Sequence, residues 1–349
     1  MSAGLQARAS HEASFAGTFA RQVLHRVPPI PPHINLCDKV AIVTGSSSGL
    51  GKECARQLLQ IQLTHLILAV RSQSKGQATA SNLQAEFPKA RIEVWLVDME
   101  SYESVREFAA RCEKLDRLDV AILNAGCGKM RFTRCAGDHG REVTIQVNFL
   151  ATVLLAMLLA PIIKNKGSIA GKPGQSPQAP GRITIVTSDM SFWPKLDENA
   201  LSILDSVDSP QGFDGMMQYG KSKLLLVMFV SKLAEVVSPD DCIINLVNPS
   251  GVRGTELMRE AETILPRLLV WLSGNLLGRN LVDGTRQYLH SALVLFKESH
   301  GSFCDWKIRP YPPYMYTESG RRLTAQLWDE TLKELRFSGV ETVLQELKK

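Results

Sequence analysis

Residues 39–51 read Lys39-Val40-Ala41-Ile42-Val43-Thr44-Gly45-Ser46-Ser47-Ser48-Gly49-Leu50-Gly51. A β-branched run ends in a turn carrying three glycines and passes directly into the helical pattern GKECARQLLQIQ. Glycines at those places let the chain turn sharply and let a pyrophosphate approach backbone amides at a helix N-terminus. A Gly-rich turn alone is a weak signal. This one follows a predicted strand and opens a helix within a βαβ unit, the context that makes it a dinucleotide site.

Outward from that turn, strand-like and helix-like segments alternate: HLILAVR, a polar helix from about Lys75, IEVWLVD, SYESVREFAARCEKL and LDVAILNAG. Alternation of this kind implies parallel strands with crossover helices on both faces. The predicted fold is therefore α/β, a doubly wound parallel-sheet Rossmann fold. The second strand ends at Arg71, where an acidic residue would select the ribose hydroxyl of NAD; a cation there favours the 2′-phosphate of NADP(H). Asp98 closes the third strand, placed to accept from an adenine amino group, and Asn124-Ala125-Gly126 closes the fourth.

Composition narrows the classes. The chain has 349 residues, 44% apolar and 21% charged, ordinary for a globular protein with one large domain plus extensions. A net charge of +5, with dispersed Lys and Arg, gives no basic stripe for nucleic acid. Seven scattered cysteines without a C-x-x-C pair, and seven histidines without H-x-x-x-H spacing, point to a reducing compartment and no metal.

The first 33 residues have no apolar run of signal-peptide or membrane-span length. Their Arg and Ser content faintly resembles an organelle transit segment, but the cytoplasmic reading is preferred. The Pro-rich stretch Val27-Pro28-Pro29-Ile30-Pro31-Pro32 separates this extension (1–33) from a catalytic domain beginning near Ile34 (34–349). Segments 149–163 and 223–237 are apolar on nearly all sides and too short to span a membrane. A covered core helix and a homodimer interface explain them equally well. The Gly-, Pro- and Ser-rich run from Asn165 to Gly181 reads as a mobile surface insertion, with no transmembrane segment implied.

The chemistry concentrates in Tyr219-Gly220-Lys221-Ser222-Lys223. Spacing i, i+4 puts the phenol and the Lys223 ammonium on one helix face, where the charge and an oxidised nicotinamide would lower the phenol's pKa toward neutrality. Upstream, Ser188 in Thr187-Ser188-Asp189 ends a strand and can hold a developing oxyanion. Asn148 interrupts an apolar helix, where a buried polar side chain needs a partner.

In order, T-G-x-x-x-G-x-G, N-A-G, a helical Asn, a strand-end Ser and Y-x-x-x-K resemble the short-chain dehydrogenase/reductase family. The match runs from Ile34 to about Leu335. Within the family the chain is similar to fungal retinol-dehydrogenase-like reductases of secondary-metabolite pathways, through IVTGSSSGLGKECARQL, LDRLDVAILNAG, YGKSKLLLVMFVSKLAE and ESHGSFCDWKI. The resemblance implies a catalytic tetrad of Asn148, Ser188, Tyr219 and Lys223. Lys223 would also hold the nicotinamide ribose, and Asn148 a proton-relaying water. It assigns Gly45, Ser47, Gly49, Leu50 and Gly51 to the pyrophosphate turn, Arg71 to the adenosine phosphate, Asp98 to the adenine, Asn124 to the ribose, and Asn248-Pro249 and Val252 to the nicotinamide amide.

Three departures accompany it. Leu123 replaces a frequent Asn. The 31-position gap from Ser188 to Tyr219 implies an extra substrate-side loop over PKLDENALSILDSVDSPQGFDGMM, and Pro249-Ser250-Gly251 carries one residue more than the usual Pro-Gly, an insertion expected to disturb the amide contact. Residues 256–281 read as a lid over an apolar substrate, ahead of membrane contact or a core helix. The implied activity is NADP(H)-dependent interconversion of a carbonyl and a secondary alcohol on an apolar polyketide- or terpenoid-like small molecule. The alternatives are a non-catalytic dinucleotide-binding regulator on the same fold and a membrane-associated retinoid or steroid dehydrogenase.

Overall fold

Side chains alternate across a strand, and the first strand shows what that alternation builds. Ile42 joins one buried apolar cluster while Ala41 and Val43 join another on the opposite face. In the computed structural model, which describes residues 1–24, 26–137, 140–170, 178–253 and 278–348, the sheet is sandwiched between those two clusters.

The strands are β1 (Val40–Thr44), β2 (His65–Val70), β3 (Arg91–Leu96), β4 (Val120–Leu123), β5 (Ser168–Ala170), β6 (Gln178–Val186), β7 (Cys242–Val247), β8 (Phe303–Cys304) and β9 (Ile308–Arg309). Their order is β3-β2-β1-β4-β6-β7-β8-β9, with β5 paired to β6. All neighbours from β3 to β8 are parallel; β5 and β9 are antiparallel additions. Strand order reverses between β1 and β4, the switch point where doubly wound sheets open a crevice at their carboxyl ends.

The helices are α1 (Gln6–Ala13), α2 (Phe15–Phe19), α3 (Gly49–Gln60), α4 (Gln73–Glu86), α5 (Tyr102–Cys112), α6 (Val143–Ile145), α7 (Ala151–Lys166), α8 (Ile203–Val207), α9 (Gly215–Val236), α10 (Leu281–Leu289), α11 (Glu318–Glu334) and α12 (Val340–Leu347). Helices α3, α4 and α10 cover one face through Leu58, Leu83 and Tyr288. Helices α5, α7, α9, α11 and α12 cover the other through Phe108, Leu154, Phe229, Leu327 and Leu344.

Three expectations need correction. Helix α7, continuous with α6 through a π-turn, makes Val143–Lys166 long and apolar enough to cross a membrane, yet 94% of its most apolar window is buried inside the chain. Leu224 to Val230 of α9 are likewise buried. Their all-round apolarity is thus satisfied within one chain and needs no homodimer interface at 149–163 or 223–237.

The two described ends of the run from 165 to 181, up to 170 and from 178, are not free. Lys166 ends α7, and Ser168–Ala170 pairs with Gln178–Pro180 because Ile169 finds a buried apolar place. The long segment before Tyr219 is not chiefly a substrate-side loop either. It holds α8, whose N-terminal amides of Ile203 and Leu204 donate to the Glu330 carboxylate on α11; an anion at a helix N-terminus is a favourable placement.

The extension before Ile34 packs against the domain that follows it. Val27 is buried, His290 Nε2 contacts the Pro28 carbonyl at 2.9 Å, and Phe303 N donates to Ser2 Oγ at 2.9 Å beside the sheet edge. The expected lid at 256–281 lies outside the described residues up to 277.

Candidate active site

The carboxyl ends of β1, β4, β6 and β7 border a cleft of about 680 Å³. Its floor is the glycine turn. Gly45 (φ 64°) and Gly49 (φ 53°) occupy the left-handed region that glycine adopts without strain. A Cβ on Gly51 would stand 2.3 Å from the Gly45 carbonyl oxygen and 2.6 Å from Asn124 Nδ2, so only glycine lets α3 start this close to the turn. Gly49, Leu50 and Gly51 line the cleft at the start of α3, where the first backbone N–H groups have no partner within the helix. That geometry fits a pyrophosphate.

Neighbouring strands hold the turn in shape. Thr44 Oγ1 accepts from Asn124 N and Ala125 N, both at 2.9 Å. Asn124 Nδ2 donates to Thr44 O at 3.0 Å, and its Oδ1 accepts from the Tyr288 hydroxyl at 3.1 Å. Both ends of the Asn124 amide therefore help to fix the turn, while Asn124 still lines the cleft. Tyr288, on α10, is a site residue that sequence reading missed. It is 164 positions from Asn124, and no local pattern links the two.

At the far end of β2, Arg71 lines the cleft and pairs with Glu100 at 2.5 Å. The Arg71 side chain is 69% exposed, so this pair is worth little and a phosphate can displace the carboxylate. Glu100 was not anticipated. Ser47 and Asp98 do not line the cleft. The Ser47 carbonyl accepts from Thr79 Oγ1, and Asp98 Oδ1 accepts from Glu100 N at 3.0 Å, shaping the turn that presents Glu100.

The catalytic candidates Ser188, Tyr219 and Lys223 all line the same cleft, while Asn148 stands directly behind it. Ser188 follows β6, and its Oγ accepts from Met190 N at 3.1 Å. The same hydroxyl hydrogen-bonds the Tyr219 phenol. Lys223 Nζ lies 5.6 Å from the Tyr219 ring centroid and donates to the Val186 carbonyl at 2.9 Å.

The electrostatics differ from the sequence expectation. Burial pushes the Tyr219 phenol up to about 12, with the Ser188 hydrogen bond opposing, and burial pushes Lys223 down to about 8. Desolvation, the largest cause of both shifts, disfavours both charged forms. The protein's own groups therefore hold a neutral phenol.

Asn148 sits in the π-turn Gln146–Leu150, a helix irregularity frequent at functional sites. Its Oδ1 accepts from Cys127 N at 2.8 Å. Its Nδ2 donates to Cys127 O at 2.8 Å and Ser222 Oγ at 3.0 Å. The amide locks the loop after β4 to the helix that carries Tyr219. A Cβ on Gly126 would stand 3.1 Å from Asn148 Oδ1 and 3.6 Å from Lys223 Nζ, so a glycine there keeps that approach open.

The expected insertion at Ser250 is absorbed locally. Ser250 takes φ 61°, and the Asn248 carboxamide oxygen accepts from both Ser250 N and Asp189 N. Val252 still lines the cleft, bridged to Arg279.

Comparison with known proteins agrees with this geometry. Residues 39–194 match the family model described as short chain dehydrogenase. A short chain dehydrogenase of Hypocrea virens is 43% identical over the full length of both chains, and a short chain dehydrogenase/reductase of Annulohypoxylon moriforme is 43% identical over 96% of this chain and 95% of its own. Among solved structures, an NADPH-bound short chain oxidoreductase from Pseudomonas aeruginosa is 21% identical with a TM-score of 0.58, covering 78% of this chain and 97% of its own. A Sphingobium yanoikuyae short-chain dehydrogenase in complex with NADPH gives 21% and 0.53, covering 72% and 83%. At that identity the structural likeness speaks to the fold alone. With full-length relatives at 43% identity, the Rossmann sheet and the glycine turn, the chain belongs to the short-chain dehydrogenase/reductase family of oxidoreductases.

Proposed function

We propose that the protein is an NADP(H)-dependent oxidoreductase that interconverts a carbonyl and a secondary alcohol on an apolar small molecule of polyketide or terpenoid type. One observation carries the reading: Ser188, Tyr219 and Lys223 line the same cleft as a glycine turn shaped for a pyrophosphate.

The nicotinamide, when bound, supplies or accepts the hydride. The chain's own residues manage the proton. Ser188 Oγ already accepts from Met190 N, and its O–H, which faces the Tyr219 phenol, can turn to donate to a substrate oxygen. Tyr219, a neutral phenol held in reach of Ser188, gives its proton to that oxygen in reduction and recovers it in oxidation. Lys223, buried and fixed by the Val186 carbonyl, adds positive charge that stabilises the phenolate left behind and is placed to hold the nicotinamide ribose. Asn148 acts as a positioning residue for the Cys127 loop and the Tyr219 helix.

Arg71 supports NADP over NAD, since a guanidinium binds a 2′-phosphate through paired hydrogen bonds. The substrate end of the cleft is edged by Met130, Met190, Trp193 and Met216, an apolar and adaptable lining. The direct test follows the absorbance of the reduced cofactor while a panel of ketones is offered with NADPH or NADH. NADPH-linked consumption with apolar cyclic ketones is expected. No consumption with any ketone, and no reduction of NADP⁺ by the matching alcohols, would overturn the reading.

A further inference from the structure

Phe15 and Phe19 are large aromatics on the surface, 85% and 39% exposed, and their rings lie 6.3 Å apart at 23°. Exposed aromatics on a terminal segment are ordinarily free to move. These are held. Two residues beyond them, Arg21 is buried, its side chain only 5% exposed, and ion-pairs with Glu12 at 2.9 Å and with Asp189 at 3.0 Å. Glu12 reaches Arg309 at 3.4 Å, and Arg309 reaches Asp305 at 2.8 Å, so a chain of buried charges runs from the segment to the sheet edge. Removing one member of such a chain leaves uncompensated buried charge, which fixes the segment in place.

The anchors grip the two turns on which the chemistry stands. Asp189 directly follows Ser188. Gln22 makes a paired contact with Gly251: its Oε1 accepts from Gly251 N at 2.9 Å and its Nε2 donates to Gly251 O at 2.7 Å. Gly251 directly precedes Val252 on the nicotinamide side of the cleft. A segment tied to both turns, presenting Phe15, Thr18, Phe19 and Gln22 to the cleft that also holds Tyr219, is part of its wall.

We propose that residues 15–22 are a specificity-determining wall of the active site, in which Phe15 and Phe19 select flat, ring-bearing apolar substrates by stacking. The inference rests on the carbonyl-reductase reading for its substrate class, and it extends that reading to a segment outside the Rossmann core. Two nearly parallel rings lining the same cleft as Met130, Met190, Trp193 and Met216 offer aromatic faces that a planar ring system covers and a short aliphatic ketone does not. The ion pairs and hydrogen bonds that anchor the segment come from Glu12, Arg21 and Gln22, so removing the two exposed rings leaves those anchors in place.

The test compares the parent with the double variant Phe15→Ala/Phe19→Ala, using 9-fluorenone as a flat tricyclic probe and butanone as a small one. Calorimetric titration of fluorenone in the presence of NADPH reads binding independently of turnover, and kcat/KM for both ketones reads selectivity. The double variant is expected to bind fluorenone and to use it about 10-fold less well, while butanone kcat/KM and NADPH affinity stay within about 2-fold. Equal loss for both ketones, no loss for either, or failure of the parent to bind fluorenone would overturn the proposal. A parent that binds fluorenone with the expected variant loss, yet reduces no ketone, would uphold the wall and overturn the reductase reading.

Discussion

Lys223 lies one helical turn beyond Tyr219 with its Nζ 5.6 Å from the phenol ring centroid, yet it gives a hydrogen bond to the Val186 carbonyl at 2.9 Å. The cation is therefore fixed by the strand beside it. Burial also lowers its pKa, so its charge is held less firmly than that of a surface lysine.

A pH dependence follows. Burial lowers Lys223 to about 8, so the side chain is an ammonium below that value and neutral above it, while Tyr219 stays a phenol until about 12. For ketone reduction, kcat/KM, which reports free-enzyme ionisations, should be flat near neutrality and fall as pH rises through about 8, with no second limb before about 12. A profile rising through that window would contradict the assignment.

Cofactor choice turns on the far end of the cleft. Arg71→Asp removes a guanidinium and places a carboxylate beside Glu100, where a 2′-phosphate would meet two negative groups. NADPH affinity should fall by roughly 10- to 100-fold, the loss of a charge-assisted bond of about 1.5–3 kcal/mol, with NADH much less affected. Fluorescence titration of both cofactors reads the difference; equal weakening would remove Arg71 from the 2′-phosphate site.

Gly51→Ala tests the turn. The new methyl would sit 2.3 Å from the Gly45 carbonyl oxygen, a backbone atom that cannot swing aside. Overpacking of this kind costs about 1–3 kcal/mol. Denaturant unfolding should show that loss, and a cofactor titration should show weakened binding of both NADPH and NADH, since the turn serves the shared pyrophosphate.

Arg21→Met leaves Glu12 and Asp189 without the cation between them. Breaking a buried pair costs roughly 3–5 kcal/mol, and a terminal segment can escape that cost by undocking. Limited proteolysis should then cut before Val27 in the variant and leave the rest of the chain intact, whereas the parent resists. Uniform loss of stability across the chain would instead make Arg21 a core element.

How much of this was written in the sequence depends on how far apart the partners lie. The glycine turn and Tyr219/Lys223 were legible because their chemistry needs neighbours within one turn or one helix face, and spacing records that. Alternation of β-branched runs with helical segments made the parallel sheet legible in the same way. The hydrogen bond from Tyr288 to Asn124, the Arg21–Asp189 pair and the Gln22–Gly251 pair join positions more than 160 residues apart, and no periodicity marks them. Hydropathy also could not separate a helix buried by its own chain from one buried by a partner, as α7 shows. Nor could spacing foresee that desolvation would push the Tyr219 phenol up instead of down, since that depends on how completely the fold removes water from it.

Tyr219→Phe removes the hydroxyl that exchanges the proton while leaving the ring that lines the cleft. In the NADPH-linked ketone assay kcat should fall about 100-fold or more, the ordinary contribution of a positioned general acid, while NADPH affinity stays within about 2-fold. A variant that turns over as fast as the parent would contradict the account.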